Sequence, residues 1–78
     1  MTGHSVRIVA DAIARHLAIR PGCADSVEGI QQWWLRPAGV EVPLEIVSDA
    51  LRLLEEERVV ECRLLGAREI WRLWRGEG

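Results

Sequence analysis

The sequence predicts an α+β domain in which three helices precede a C-terminal β-hairpin. In the first 56 residues, apolar side chains recur at three- and four-residue steps, which is the spacing of amphipathic helices. Residues 59–64 and 69–74 have strand-type composition and flank Gly66, which favours a hairpin turn. Because the chain has 78 residues, we expect one domain over residues 1–78, with its core in about residues 6–75.

The first helix is predicted to begin at Ser5, a favourable N-cap residue, and to run to about Ile19. Its main apolar stripe consists of Val6, Val9, Ala10, Ile13 and Leu17. Ile8, Ala12 and Ile19 form a second apolar set, so we expect this helix to be covered on more than one side. Pro21 ends the helix, since proline disfavours helical backbone at the residue before it.

The second helix is predicted to begin at Asp25, because Asp25 and Glu28 have the spacing of a capping box. It should run to about Leu35, with a break at residues 36–39. One face of this helix carries Val27, Ile30 and Trp34. Trp33 lies a quarter-turn to the side and need not be buried.

The third helix is predicted to open at Pro43, where a missing backbone N–H costs nothing. Its core stripe consists of Leu44, Val47, Ala50, Leu51 and Leu54. The opposite face carries Glu45, Ser48, Asp49, Arg52 and Glu56. We therefore expect a helix with one apolar and one largely acidic face.

The hairpin is predicted to pair strands near Val59–Leu64 and Glu69–Trp74. Side chains alternate along a strand, so Ile70, Arg72 and Trp74 share one face. Trp71, Leu73 and Arg75 share the other. Only one face can pack against the helices, so at least one large aromatic side chain should stay outside that core. Alternatively, the aliphatic parts of neighbouring arginine side chains shield this tryptophan from solvent.

Charge is distributed unevenly along the chain. Residues 41–57 hold one arginine against six acidic residues, a net charge of −5. Residues 58–78 hold five arginines against three acidic residues, a net charge of +2. The third helix is therefore acidic and the hairpin mildly basic.

Composition and motifs argue against catalysis and against a cofactor. The sequence contains no Gly-rich phosphate loop, no HExxH and no clustered Cys and His residues. His16 lies beside the apolar stripe of the first helix and is interpreted as a packing residue. Cys23 and Cys62 have no metal-like spacing and are interpreted as reduced, small apolar residues. With no bilayer-spanning apolar run and no signal-like N-terminus, we expect a soluble cytoplasmic protein.

The run VSDALRLLEEERVV at residues 47–60 resembles the recognition helix and the start of the wing in bacterial transcription regulators. With the order helix, helix, helix, hairpin, the chain resembles the winged helix-turn-helix superfamily over about residues 6–75. The resemblance implies DNA binding, with the exposed side of the third helix in a major groove. The positions it would place in the groove are Leu44, Glu45, Ser48, Asp49 and Arg52.

The sequence departs from that pattern in two ways. The positions for the groove offer two carboxylates and a single arginine, Arg52, which Asp49 and Glu56 are expected to neutralise. DNA binders usually make about 6–10 phosphate contacts, which an acidic helix opposes. The linker at residues 36–42 is also longer than a helix-turn-helix turn. If the chain binds DNA, we expect the wing to lead, through Arg63, Arg68 and Arg72. Ser48 and Arg52 on the third helix are the other candidate DNA contacts.

The function predicted from the sequence is a non-catalytic protein–protein interaction module, either a homodimer or an adaptor. Its contact surface is predicted to include Trp33, Trp71, Arg72, Trp74 and Arg75, since tryptophan and arginine are enriched at interface hot spots. The acidic third helix would steer a basic partner. The alternative is a DNA-binding transcriptional regulator that contacts DNA mainly through its basic wing.

Overall fold

The computed structural model describes residues 5–76, which form an α+β domain with three helical segments and a three-stranded antiparallel sheet. The first and third helices are α1 (Val6–Ile19) and α3 (Leu44–Glu56). The second helix, α2, runs as an α-helical turn (Val27–Gly29), a π-helix (Ile30–Leu35) and a 3-10 turn (Arg36–Ala38). The strands are β1 (Ala24–Asp25), β2 (Val60–Leu65) and β3 (Arg68–Leu73). Within this described part, no helix has the length and apolar character needed to cross a membrane.

Helix α1 begins as predicted, because the Ser5 hydroxyl accepts a hydrogen bond from the backbone N–H of Ile8. Its buried residues are Val9, Ala10, Ile13 and Leu17. The expectation that a second side is covered is wrong for Ile8, which is half exposed, and for Ile19, which is 72% exposed. Helix α1 packs along a single stripe, mainly against α3, and leaves those two side chains in solvent.

Helix α2 begins one residue later than predicted. Ser26, not Asp25, is the N-cap, and its hydroxyl accepts a hydrogen bond from the backbone N–H of Gly29. Asp25 lies in β1, and its carboxylate accepts from the backbone N–H of Ser26 at 2.8 Å. A Cβ at Gly29 would overlap the Asp25 carboxylate, so the glycine makes room for that hydrogen bond.

The π-helix ends at Leu35, where the break was predicted, but the backbone goes on as a 3-10 turn to Ala38. The segment ends at Gly39, whose φ of 82° lies in the left-handed region that favours glycine. The π-helix keeps Ile30, Trp34 and Leu35 in the core. Trp33 points outward and is 71% exposed, so the two adjacent tryptophans lie in different environments.

Helix α3 supplies the central part of the core. Val47, Ala50, Leu51 and Leu54 are buried as predicted. Pro43 occupies the N-cap position rather than the first helical turn. Leu44 was predicted to be in the core stripe but is 39% exposed, and it lines a groove beside the hairpin.

The sheet has the strand order β1-β3-β2, and both strand pairs are antiparallel. Strands β2 and β3 match the predicted hairpin to within one residue at each boundary, with Gly66 in the turn at a φ of 66°. The short strand β1 was not predicted from the sequence. Trp71 lies opposite Cys62 on the side that faces the helices, whereas Arg72 lies opposite Glu61 on the outer side.

Candidate functional site: the hairpin groove and its leucines

A groove of about 750 Å³ separates the end of the hairpin from the first turns of α2 and α3. We call it the hairpin groove. Its lining residues are Ser26, Val27, Glu28, Leu44, Ser48, Leu64, Ala67, Arg68 and Glu69. The groove forms because the two strands extend beyond the ends of the helices on which the sheet packs. Two of the five positions that the winged-helix resemblance would place against DNA, Leu44 and Ser48, lie in the wall formed by α3.

Two exposed leucine side chains line this groove, and a third lies beside it on the hairpin. Leu64 is 72% exposed, and Leu44 faces it across the groove from α3. Leu65, the next residue along β2, is equally exposed and lies on the outer face of the hairpin. Concentrated apolar surface with a polar rim is typical of a contact site for another protein.

Sequence reasoning missed Leu64 and Leu65 as surface residues. The signal was present, because two adjacent leucines in a strand must point to opposite faces. Leu64 and Leu65 also directly precede the Gly66 turn, where a hairpin commonly extends past its core.

The rim of the groove and the adjoining face of α3 are acidic. Glu28 and Glu69 line the groove, and Glu45 and Asp49 continue the acidic surface along α3. Among residues 5–76, none of these four carboxylates has a cationic partner within 4.0 Å. The expected neutralisation of Arg52 is also not found, since the described residues include no ion pair between Arg52 and a carboxylate.

The structure separates the predicted contact residues instead of gathering them on one surface. Trp71 is only 6% exposed and belongs to the core, so its predicted place on the contact surface is wrong. Trp74 is half-buried, and the Arg58 guanidinium carbon lies 5.9 Å from its ring centroid. Arg75 and Trp33 are exposed, but they lie on different elements.

Two of the hairpin arginines surround a buried carboxylate. The Arg72 Nε donates a hydrogen bond to Glu61 at 2.7 Å, and an Arg63 nitrogen lies 3.6 Å from the other carboxylate oxygen. The hydrogen bond from Arg72 holds the pKa of Glu61 below its ordinary value, and the charge of Arg63 acts in the same direction. Of the residues predicted to contact DNA, Arg72 is therefore already paired with a carboxylate. Ser48 faces the groove. Arg52 and Arg68 form no ion pair with a carboxylate among the described residues.

The remaining polar groups of the core form no cluster that could hold a metal ion within residues 5–76. In the described part of the chain, no three Cys, His, Asp or Glu side chains lie close enough together to bind a metal ion. His16 stacks on Trp34, with the ring centroids 4.4 Å apart and the planes 11° from parallel. Burial lowers the pKa of His16, and the nearby charge of Arg20 lowers it further. This agrees with the packing role predicted for His16.

The lowered pKa values of His16 and Glu61 predict a loss of stability in acid in two stages. Above the ordinary pKa of His16, 6.5, the imidazole is neutral whether or not the chain is folded. As the pH falls below 6.5, the unfolded chain binds a proton before the folded chain does, so the free energy of unfolding decreases. Glu61 adds a second loss, which begins as the pH falls below its ordinary value of 4.5.

Urea unfolding between about pH 7.5, within the usual range of maximal stability, and about pH 3, below that range, measures both stages. A His16→Phe variant keeps an aromatic ring on Trp34 and should lose only the upper stage. An unchanged upper stage in that variant would show that another group is responsible.

Comparisons of the chain with protein-family models, with curated proteins and with solved structures gave no match. The functional conclusion therefore rests on the geometry and chemistry of the hairpin, the groove and α3.

Proposed function

We propose that this chain is a winged-helix domain that serves as a non-catalytic protein–protein interaction module and binds through its hairpin and hairpin groove. The order of three helices followed by a hairpin supports the winged-helix part of the proposal. Fold alone does not fix function, so the functional part depends on the surface.

The observation that carries the proposal is the exposure of Leu44 and Leu64 on opposite walls of the groove. Burial of leucine-sized side chains on association is favourable, by roughly 25 cal/mol for each Å² of apolar surface removed from water. The unpaired carboxylates around the groove would add orientation and selectivity rather than most of the affinity.

DNA binding through the wing is the weaker alternative. A duplex in the groove would face Glu28, Glu45, Asp49 and Glu69. Carboxylates at these positions would repel the phosphates that nonspecific DNA binding depends on. Arg68 is exposed at the end of the hairpin and remains the main candidate for a phosphate contact.

The proposal predicts that Leu64→Asp weakens association of the purified protein. We expect reversible association that persists at about 1 M salt, where the Debye length is only about 3 Å. Leu64→Asp should raise the dissociation constant at least about tenfold, the equivalent of about 1.4 kcal/mol. Sedimentation velocity across a concentration series measures this change.

Ile19→Asp provides a matched control. Ile19 and Leu64 are both 72% exposed, but Ile19 lies at the end of α1 and does not line the groove. The control should associate like the wild-type protein. Equal weakening in both variants would contradict a specific hairpin site. Salt-sensitive binding to a random-sequence duplex that disappears in Arg68→Ala would support the DNA alternative instead.

A further inference from the structure

The hairpin groove continues along the exposed side of α3 as a longer surface. A second depression, of about 440 Å³, follows the helix, and a third, of about 210 Å³, lies near its last turn. Neighbouring depressions share lining residues, since Leu44 and Ser48 belong to the first two and Arg52 to the second and third. We call the combined surface the α3 channel. Besides the residues of the hairpin groove, its lining residues are Glu45, Asp49, Arg52, Glu55, Cys62 and Trp71.

The α3 channel has the length of a short helix. Its wall on α3 runs from Leu44 to Glu55, a rise of about 16 Å at about 1.5 Å per residue. A helix of about three turns has the same length. Small side chains line the channel at Ser26, Ser48 and Ala67, and they leave room for the side chains of an occupant.

The walls of the α3 channel carry an excess of negative charge. Among the described residues, its lining includes two arginines against five carboxylates, a net charge of −3. The carboxylates belong to Glu28, Glu45, Asp49, Glu55 and Glu69. Within residues 5–76, none of the five has a cationic partner within 4.0 Å. Lysine or arginine side chains on an occupant would complement this charge.

Exposed apolar side chains mark the end of the channel where an occupant would be anchored. Leu44 and Leu64 face each other across the hairpin groove and are 39% and 72% exposed. An apolar side chain inserted between them would be covered from both sides. Apolar anchors in a groove with a charged rim are typical of sites that bind an amphipathic helix.

A helix fits this surface better than an extended strand does. The backbone of α3 is hydrogen-bonded within the helix, so an extended peptide in the channel would leave its own N–H and C=O groups without partners. The edge of β2 does not supply partners along its first residues, because Val60 is fully buried and Glu61 is 6% exposed. A helix satisfies its backbone groups internally.

We infer that the α3 channel binds a basic amphipathic helix of another protein, with an apolar side chain between Leu44 and Leu64 and cationic side chains against the carboxylates. This inference rests on the proposed function and names the chemistry of the partner. Association of two copies through the same leucines would bring two sets of carboxylates together, so it is the weaker use of this surface. The partner helix should therefore displace a second copy.

A synthetic peptide of about 15 residues, long enough to form a helix on binding, tests the inference. It carries leucines at three- and four-residue steps on one face, lysines beside them and a fluorescein label. Fluorescence anisotropy with the full chain measures the dissociation constant. We expect saturable binding that weakens as the salt concentration rises, with a gain of helix by circular dichroism. In sedimentation velocity, the peptide should dissociate the self-associated protein.

Two control peptides separate recognition from general attraction between a cation and an acidic protein. The first has the same composition, with its leucines distributed around the whole helix. The second has glutamate in place of every lysine. Both should bind at least about tenfold more weakly than the test peptide. Equal binding of the first control, or tighter binding of the second, would overturn the inference.

Two pairs of variants locate the binding site. Leu64→Asp should weaken peptide binding at least about tenfold, whereas Ile19→Asp, which is equally exposed outside the channel, should not. Asp49→Lys should weaken it about three- to tenfold. Glu41→Lys makes the same charge change at an exposed residue that does not line the channel, and it should have a smaller effect. Circular dichroism checks that each variant keeps the fold.

The outcomes separate this inference from the proposed function. If Leu64→Asp weakens self-association but no peptide binds, the basic helix is excluded and the hairpin module stands. Peptide binding that ignores both Leu64→Asp and Asp49→Lys would place the peptide elsewhere and contradict the inference. Peptide binding to a protein that stays monomeric would support the inference and the adaptor form of the module. Absence of both self-association and peptide binding would contradict both proposals. Displacement of the peptide by a random-sequence DNA duplex would assign the channel to nucleic acid instead.

Discussion

Replacing Trp71 with alanine is expected to remove about 3–5 kcal/mol from the free energy of unfolding, as removal of a buried aromatic side chain does in other cores. The indole is 6% exposed, and it lies between the helices and the sheet, with Cys62 opposite it on β2 and Asp25 on β1. A domain of 78 residues has a total stability of about 4–12 kcal/mol. The loss is therefore a large fraction of the total, and it would leave the variant largely unfolded at room temperature if the total lies near the lower limit of that range.

Urea unfolding followed by circular dichroism measures this loss. Trp71→Phe is the matched control, because it keeps an aromatic ring but removes the indole N–H. That N–H is buried and has no hydrogen-bond partner among the described residues, so its removal leaves no donor unsatisfied. We expect the phenylalanine variant to fold. If Trp71→Ala instead kept its stability and lost association, the contact role predicted from the sequence would be correct.

The second large effect is expected for Trp34→Ala, again about 3–5 kcal/mol. Trp34 is buried where the π-helix packs toward α1, and its ring covers one face of His16. Its removal would open a cavity and expose the imidazole to water. We therefore expect the pKa of His16 to rise toward its ordinary value of 6.5 in any folded fraction.

Trp33→Ala is the adjacent control for that variant. Trp33 is 71% exposed, so its removal should change the free energy of unfolding by no more than about 0.5 kcal/mol. Urea unfolding measures the stability of both variants, and a proton NMR titration reports the pKa of His16. Similar losses in the two variants would show that the environments of these tryptophans differ less than the structure indicates.

Helices α1 and α3 and the β2–β3 hairpin could be predicted from sequence because each has a strong apolar period. The start of α2 could not be located to the residue, since Asp25 and Ser26 are both good N-cap residues. The choice depends on β1, which places Asp25 in the sheet, and a two-residue strand has too few side chains to show alternation. The change to π-helical hydrogen bonding at Ile30 leaves no mark in residue preference.

The surface of the hairpin was predicted in part. Alternation correctly placed Trp71 and Arg72 on opposite faces, but it could not say which face meets the helices, because both contain a tryptophan. The ion pair between Arg72 and Glu61 lies on the outer face, so the opposite face, which carries Trp71, packs against the helices. Exposure of Leu64 depends on how far the strands extend past the helices, which no local pattern specifies.

The π-helix in α2 has a consequence for the comparison of related sequences. A π-helical turn closes its hydrogen bonds one residue later than an α-helical turn, so it takes up one extra residue within an otherwise regular helix. A relative with one residue fewer between Val27 and Gly39 could form a plain α-helix and still bury the residues equivalent to Ile30 and Trp34. A single-residue gap in an alignment at this position would therefore record a local change of helix type, with the fold preserved around it.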